Sequence, residues 1–338
     1  MDGRGQGIGS TDRMSAARGI RTAGLALLLA LGAPAALAQD YPSRPITLIV
    51  PHRAGGPSDV IARVMSKLLS HALRQPLIIE NRPGAGGNIA GEQAAQSPAD
   101  GYTLLLGNTS ILITNPARQK EIGFDPQLDF EPVTLLGTQS NVLVVNPAVP
   151  VLTLTQFIEH AQARPGMVTY ASAGHGSPSH LAGELFKTKA RVNMVHVPYK
   201  KPGPALQDVI AGHVQTMFAP AALIANHVRA GRLRALAVAA PRRSDALPGV
   251  ATVEELAFPG FDATTWYGLV APAGTSKQTI DVLHHATGTV LEDPIAKRIL
   301  AGLGIDVAGS TPKEFDAFIK AQIPKWSPVA KAFAVQSH

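Results

Sequence analysis

Short apolar runs alternate with helical patterns along this chain of 338 residues. The run 46–50 predicts a buried strand, and apolar residues then recur at the spacing of one helix face, namely Ile61, Val64, Met65, Leu68 and Leu69. Further strands are predicted at 77–79, 102–106, 142–145, 168–171, 194–197, 233–238 and 266–270. This alternation is typical of an α/β protein with mostly parallel sheets.

Turn-rich stretches divide the chain into two predicted lobes. Asn146-Pro147 and the stretch 248–259 are rich in residues that favour turns. We interpret both as crossings between lobes, so that lobe 1 comprises residues 39–145 and 260–338 and lobe 2 comprises residues 146–259. Two connecting segments are typical of a hinge, and the cleft between hinged lobes is a favoured ligand site.

The first 38 residues have the features of a secretory signal peptide. Arg13, Arg18 and Arg21 precede an apolar run at 23–31, and Ala36-Leu37-Ala38 supplies the small residues of a cleavage site. The apolar segment is shorter than the roughly 20 residues that a membrane span requires. We therefore predict cleavage after Ala38 and export of the chain, with the translation start left open between Met1 and Met14.

Composition argues against several classes of function. The chain has no cysteine, which excludes disulfide bonds, zinc–thiolate sites and thiol catalysis. Its net charge of +6 is mild, its basic residues are scattered and only 5% of residues are aromatic, so nucleic-acid binding has little support. No cofactor or metal is expected, because the chain contains neither a GxxxxGK[ST] loop nor an HExxH motif, and the adjacent His284 and His285 would point apart on a helix.

Two strands run into glycine-bearing loops that lead directly into helices. The first junction contains Ala54-Gly55-Gly56-Pro57-Ser58-Asp59, and the second contains Ser172-Ala173-Gly174-His175-Gly176-Ser177. Such junctions leave backbone N–H groups unpaired at the positive end of a helix dipole, which suits an anion. We expect the two loops to hold a carboxylate across a cleft, with plain helix capping by Ser177 as the alternative. Asp59 would repel an anion, so we expect it to turn aside and bond within its loop.

Two further motifs favour structural roles. Residues 81–88 form a third glycine loop that lacks the GxGxxG spacing, and we interpret it as a tight turn that packs against the first junction. Ser177 and His180 are three residues apart on one predicted helix, so their side chains could touch like the nucleophile and base of a hydrolase. However, the chain has no GxSxG elbow, and the base of a triad normally comes from elsewhere in the sequence. We therefore expect His180 to bond the loop.

Segments spread over the chain after residue 40 resemble one known family. They include Tyr41-Pro42-Ser43-Arg44-Pro45-Ile46 and the two junction loops, and continue through 80–88, 100–105, 180–186, 196–200, 231–238 and 266–275. Each motif alone is ordinary, but the combination closely resembles the Bug family, the periplasmic solute receptors of tripartite tricarboxylate transporters.

The resemblance implies a two-lobed α/β fold of the periplasmic-binding-protein type, each lobe a mostly parallel sheet flanked by helices, with a hinge between them. It also implies a non-enzymatic periplasmic protein, expected as a monomer, that passes a small organic acid to integral membrane transporter subunits. In the family, the loops matched by the two junctions grip one carboxylate, and the loop matched by Asn108-Thr109-Ser110 borders the cleft. The predicted ligand-binding residues are Arg53, Ala54, Gly55, Gly56, Ser58, Asp59, Asn108, Thr109, Ser172, Ala173, Gly174, Gly176, Ser177, His180 and Ala219.

Two positions depart from the family pattern. Arg53 stands where the family usually has a small or apolar residue, and Ala219 stands where it commonly has Asp. Both changes make the expected cleft more positive. We therefore expect a dicarboxylate or an aromatic acid to bind in preference to an amino acid.

Two other functions remain open from the sequence. A secreted enzyme on an α/β hydrolase-like scaffold would need a nucleophile, a base and an oxyanion site in register, and the sequence offers only the last of these. A sensor that signals through a membrane partner has the same sequence features as a transport receptor.

Overall fold

Two β-sheets form the framework of the protein in the computed structural model, which describes residues 41–118 and 122–334 together with Met1. The predicted cleavage site after Ala38 lies outside the described residues. Strands β1 to β11 are Ile46–Val50, Leu77–Asn81, Thr103–Asn108, Phe130–Gln139, Asn141–Val145, Val168–Ser172, Met194–Pro198, Thr216–Pro220, Arg234–Val238, Thr265–Pro272 and Ile305–Val307.

Helices flank both sheets. Helices α1 to α11 are Pro57–Leu73, Asn88–Ala95, Asn115–Arg118, Leu154–Gln162, Pro178–Ala190, Pro202–Ala211, Ala221–Arg229, Val253–Leu256, Lys277–Glu292, Pro294–Gly302 and Pro312–Ala334. A 3₁₀ turn at Ala85–Gly87 precedes α2, and a π-helix at Ser110–Thr114 leads into α3. Among the residues described, no helix combines the length and the apolar character that a membrane span needs.

The two sheets confirm the α/β class. Sheet A has the order β11-β4-β10-β3-β1-β2, and sheet B has the order β7-β6-β8-β5-β9. Both are mixed rather than mostly parallel. Strands β1, β2 and β3 run parallel to each other, as do β6, β7 and β8, whereas β10 and β5 run antiparallel to both of their neighbours. These antiparallel strands adjoin the segments that connect the sheets.

The chain passes from sheet A to sheet B at Ser140, between β4 and β5. This corrects the predicted crossing at Asn146-Pro147, because the strand at 141–145 belongs to sheet B and not to the first lobe. The turn residues at 146 close β5 inside the second lobe, where the Asn146 amide donates to the carbonyls of Val209 and Ile210. The crossing itself is a single residue between two strands and forms no turn. The chain returns just before β10, close to the predicted position.

Strands β4, β8 and β11 were not predicted. Pro132 and Gly137 lie inside β4, and both residue types argue against a central strand. Pro132 lies beside a register shift between β4 and β10, where the regular strand pairing is interrupted. Gly137 lies so close to β11 that an added Cβ would be 2.7 Å from the Asp306 carbonyl oxygen, so a larger residue would clash there. Strand β8 has only five residues and ends at a proline, so its apolar pattern is too short to identify it as a strand.

Apolar side chains form one large cluster that reaches from sheet A to sheet B. It includes Leu105 of β3, Tyr170 of β6, Phe186 of α5 and Trp326 of α11. A second cluster fills the other face of sheet B. The long helix α11 contacts both β4 and α5, so it packs against elements of both lobes.

Gly268 tests how tightly this framework is packed. A Cβ at this position in β10 would lie 2.1 Å from Cζ of the buried Phe315 ring, so Gly268→Ala should lower the free energy of unfolding by about 1–3 kcal/mol through overpacking. Gly288 of α9 is the matched control, because an added Cβ meets no atom within 4 Å. Gly288→Ala should raise stability by about 0.5–1 kcal/mol. Urea denaturation measures both, and equal midpoints for the two variants would contradict the packing described here.

Candidate functional site

The first junction connects β1 to α1 and is organised by a buried aspartate. Gly55 has a φ of 79°, and its N–H donates to the Asp59 carboxylate at 2.8 Å. Arg63 and Asn81 each donate to the same carboxylate at 2.9 Å. Burial alone would raise the pKa of Asp59, but these hydrogen bonds hold it below its usual value. Asp59 therefore turns into its own loop, as predicted, and shapes the junction.

The other residues of this junction differ in exposure. Arg53 and Ala54 are exposed, and the Arg53 guanidinium forms no hydrogen bond or ion pair with any described residue. Ser58 is buried, and its hydroxyl contacts Nδ1 of His52 at 3.0 Å. Gly56 begins the helix without a side-chain cap, so the end of α1 remains open to an anion from outside.

Ser177 caps α5 at the second junction. Its hydroxyl accepts from the His180 backbone N–H at 3.4 Å, and Pro178 follows at the first helical position. The His180 imidazole accepts from the Gly176 N–H through Nδ1 at 3.1 Å. His180 therefore bonds the loop, as predicted, and it does not form a nucleophile–base pair with the Ser177 hydroxyl.

Serine hydroxyls satisfy other amides of the second loop. The Ala173 N–H donates to Ser179 Oγ and the Gly174 N–H donates to Ser172 Oγ, each at 3.0 Å. The expectation of unpaired loop N–H groups is therefore corrected at six positions, where the N–H has an internal partner: Gly55, Gly56, Ala173, Gly174, Gly176 and Ser177. A carboxylate at this site would therefore meet hydroxyl groups and the ends of the helix dipoles, which favour negative charge, more than free loop amides.

Three histidines lie together behind the second loop. Ring nitrogens of His175, His180 and His196 lie within 4.8 Å of one another. Burial, followed by the neighbouring imidazoles and the charges of Lys187 and Arg118, lowers the pKa of His180 to about 2. Burial, with His175 and Lys187, lowers the pKa of His196 to about 4. Neutral imidazoles can ligate metals, but a positive field that opposes a proton also opposes a metal cation. The absence of a metal stays a prediction.

The two lobes meet directly at the second loop. Ser110, which opens the π-helix of lobe 1, donates from its hydroxyl to the Gly176 carbonyl at 2.6 Å. Asn115 lies between this loop and the third glycine loop, because added Cβ atoms at Gly86 and Gly176 would lie 3.4 and 4.0 Å from its amide atoms. Its Nδ2 donates to the Gly86 carbonyl at 3.0 Å and to Asn88 Oδ1 at 2.7 Å. Asn115 thus anchors the lobe 1 side of the contact.

The third glycine loop packs against the first junction. A Cβ at Gly87 would lie 3.1 Å from Pro51, which follows β1, and 2.9 Å from Ile111 of the π-helix. The third glycine loop and the second junction therefore contact the same element of lobe 1, through Gly87 and Ser110 respectively, and the first junction adjoins it through Pro51. That the two predicted grips face one cleft stays a prediction.

A cavity of about 10 Å³ lies at the base of this cleft. It is lined by Asn108, Thr109, Ser110, Pro178, Leu181, Ala263, Thr264, Thr265 and Trp326. The predicted loop 108–110 therefore does border the cleft. Asn108 itself turns inward, where its Oδ1 accepts from the Ser110 N–H at 2.9 Å and caps the π-helix.

Ala219 lies elsewhere. It is 0% exposed in β8, is paired with Val142 of β5, and belongs to the apolar cluster on one face of sheet B. The structure does not bring it to the cavity. Four residues that the sequence analysis did not select do lie at the site: Asn115, Ser179, His196 and Thr264. His196 falls in a segment of the family resemblance and Ser179 lies between two of them, whereas Asn115 and Thr264 carry no local motif.

Two sheets flanked by helices and joined by two adjacent crossings define a two-lobed fold of the periplasmic-binding-protein type. The chain belongs to the tripartite tricarboxylate transporter receptor family, whose profile matches residues 61–335. This is a family of periplasmic solute-binding receptors and not of enzymes. The chain is 38% identical to protein BugT of Bordetella pertussis over 315 residues, which cover 92% of this chain and 94% of BugT.

Solved structures show the same fold. Rpa4515 of R. palustris, solved with adipate, is 34% identical and superposes with a TM-score of 0.77 over 86% of this chain and 98% of its own. MatC from Rhodopseudomonas palustris, solved with bound malate, is 30% identical with a TM-score of 0.76 over 86% of this chain and 100% of its own.

The neutral histidines predict a pH-dependent stability. The pKa values of His196 and His180 are depressed in the folded state. Below about pH 6.5, the unfolded chain therefore binds protons at these histidines that the folded protein does not bind. The urea midpoint should therefore fall as the pH drops from 7 towards 4. His196→Gln should flatten this dependence, while His285→Gln on the exposed face of α9 should retain it. The same slope in both variants would contradict the depressed pKa of His196.

Proposed function

We propose that this protein captures a small organic carboxylate in the cleft between its lobes and delivers it to a tripartite tricarboxylate-type membrane transporter. The observation that carries the proposal is that the second junction contacts the π-helix through the Ser110–Gly176 hydrogen bond, while the first junction adjoins it through Gly87, which lies against both Pro51 and Ile111. Relatives solved with adipate and malate support a carboxylate as the ligand class.

The geometry suits reversible capture. Each helix end stabilises a nearby anion by about 0.3–2 kcal/mol. Two helix ends and a few hydroxyl groups would therefore hold the carboxylate reversibly and leave it chemically unchanged. The two grips lie on different lobes, so closure of the lobes is what brings both to the ligand. We infer a monomer that is exported after cleavage at Ala38 and that contacts membrane subunits transiently.

A thermal-shift screen of the chain from Gln39 onwards against carboxylic acids tests the function. A true ligand at 100 times its dissociation constant adds about 2.7 kcal/mol to stability and should raise the unfolding midpoint. Small-angle scattering should show a monomer whose radius falls when the ligand is added. Recovery of a chemically altered ligand, or no stabilisation by any acid in the screen, would count against a carboxylate receptor.

Variants of the two junctions should weaken binding for different reasons. Ser177→Ala removes a hydroxyl and a helix cap, so affinity and stability should each fall by about 1 kcal/mol. Gly55→Val should be worse, because Gly55 has a φ of 79° that a β-branched residue rarely adopts. Calorimetric titration measures both affinities. Normal binding by both variants would mean that these loops are only structural.

Arg53 is expected to select dicarboxylates or aromatic acids over amino acids. Its exposed guanidinium stands beside the first junction and can hold a second carboxylate in a bidentate way, a charge-assisted bond worth about 1.5–3 kcal/mol. Arg53→Ala should therefore weaken dicarboxylate binding by about tenfold or more.

Arg298→Ala is the matched control for Arg53, because it removes the same charge from an exposed position on α10. It should leave the affinity unchanged. Calorimetry that ranks aspartate or glutamate above the dicarboxylates, or that finds the same affinity for Arg53→Ala and Arg298→Ala, would contradict a role for Arg53 in selection.

A further inference from the structure

Two buried threonine hydroxyls line the cavity at the base of the cleft. Thr109 follows β3 in lobe 1 and is 5% exposed, while Thr264 lies in the crossing that leads into β10. Neither Oγ1 atom has a hydrogen-bond partner among the described residues. Leaving a buried hydroxyl unpaired costs stability, so a polar atom placed in this small cavity would be stabilised by both groups.

The remaining walls of the cavity favour an oxygen atom in this position. Helix α5 is 13 residues long and begins at Pro178, so the positive end of its dipole lies at the cavity. Leu181 and Trp326 supply apolar surface, and the indole N–H of Trp326 is already donated to Gln322. Hydrogen bonds to the two threonines would be stronger in these surroundings than in water.

The size and charge of the cavity limit the group that can enter. Its volume of about 10 Å³ corresponds to roughly one water-sized group. A complete carboxylate is larger, and no charged side chain lines the cavity. Because Pro178 directly follows the capping Ser177, the cavity begins where the second grip on the carboxylate ends.

We propose that Thr109 and Thr264 form a hydroxyl subsite, which receives one hydroxyl or carbonyl oxygen of the bound acid close to its gripped carboxylate. The ligand class is then a hydroxy or keto acid in preference to the unsubstituted acid. This inference rests on the proposed function, because the subsite adjoins the carboxylate grip. Thr264 gives the crossing segment a direct part in ligand selection.

The test compares L-malate with succinate, which differ by one hydroxyl group. Calorimetric titration of the tag-free chain from Gln39 onwards should show malate binding about tenfold more tightly than succinate. Thr109→Val and Thr264→Val keep the shape of the side chain but remove the hydroxyl. Each should reduce the preference for malate by about three- to tenfold and change succinate affinity by less than about twofold.

Three further variants control for packing and folding. Thr289→Val removes an exposed hydroxyl on α9, which donates to the His285 carbonyl, and should leave both affinities unchanged. Thr264→Ser retains the hydroxyl and should keep the preference for malate. Thermal unfolding confirms that each variant is folded, and Thr264→Ala replaces Thr264→Val if the latter does not fold.

Specific outcomes would overturn the subsite. One is an unchanged preference for malate in both valine variants. Another is an equal loss of malate and succinate affinity, which would mean that the threonines maintain the shape of the cleft and do not bind the hydroxyl group. Binding of neither acid would also overturn it. The wider screen of carboxylic acids decides separately on the proposed function, which stands if any other acid stabilises the protein.

Discussion

The side-chain amide of Asn141 ties together the two segments that connect the lobes. Asn141 is 1% exposed at the start of β5, and its Nδ2 donates to the Ala263 carbonyl and to Thr265 Oγ1, each at 3.0 Å. One crossing is thereby fixed to the other at the floor of the cleft. A buried amide that makes both bonds strongly favours one arrangement of its neighbours, since any other would leave it unpaired. The cavity, the junctions and the contact between lobes all depend on this arrangement.

The proposed site would hold negative charge mainly through hydroxyl groups and helix ends and not through a ring of cations. Internal hydrogen bonds take up the loop amides at Gly55 and Gly176, so these loops are held in shape before a ligand arrives. The helix ends then supply positive potential from backbone dipoles, which need no rearrangement. Burial keeps the imidazoles of His180 and His196 neutral, because it lowers the pKa of His196 to about 4 and that of His180 further. Such a preorganised but weakly charged site is consistent with capture and release.

Local patterns predicted the elements but not all of their places. The run at 142–145 was recognised as a strand because four consecutive apolar residues indicate burial, yet its sheet depends on pairing with β8 and β9, which are distant in sequence. Strand β4 escaped prediction because Pro132 and Gly137 break the local pattern, and only the neighbouring strands explain how both are tolerated. The inward turn of Asp59 was predictable, since an acidic residue at an anion site must find another partner.

The sequence by itself determined the α/β class, the two loop–helix junctions and the family, because periodicity, capping residues and motif combinations are properties of short segments. Only the tertiary structure decided which groups share the cleft. It placed Asn115 and Thr264 at the site, and it buried Ala219 among apolar residues of sheet B. It also gave hydrogen-bond partners to loop N–H groups that the motif alone would leave unpaired. Proximity between lobes arises from strand pairing and crossings between residues far apart in the chain, and no local pattern records that pairing.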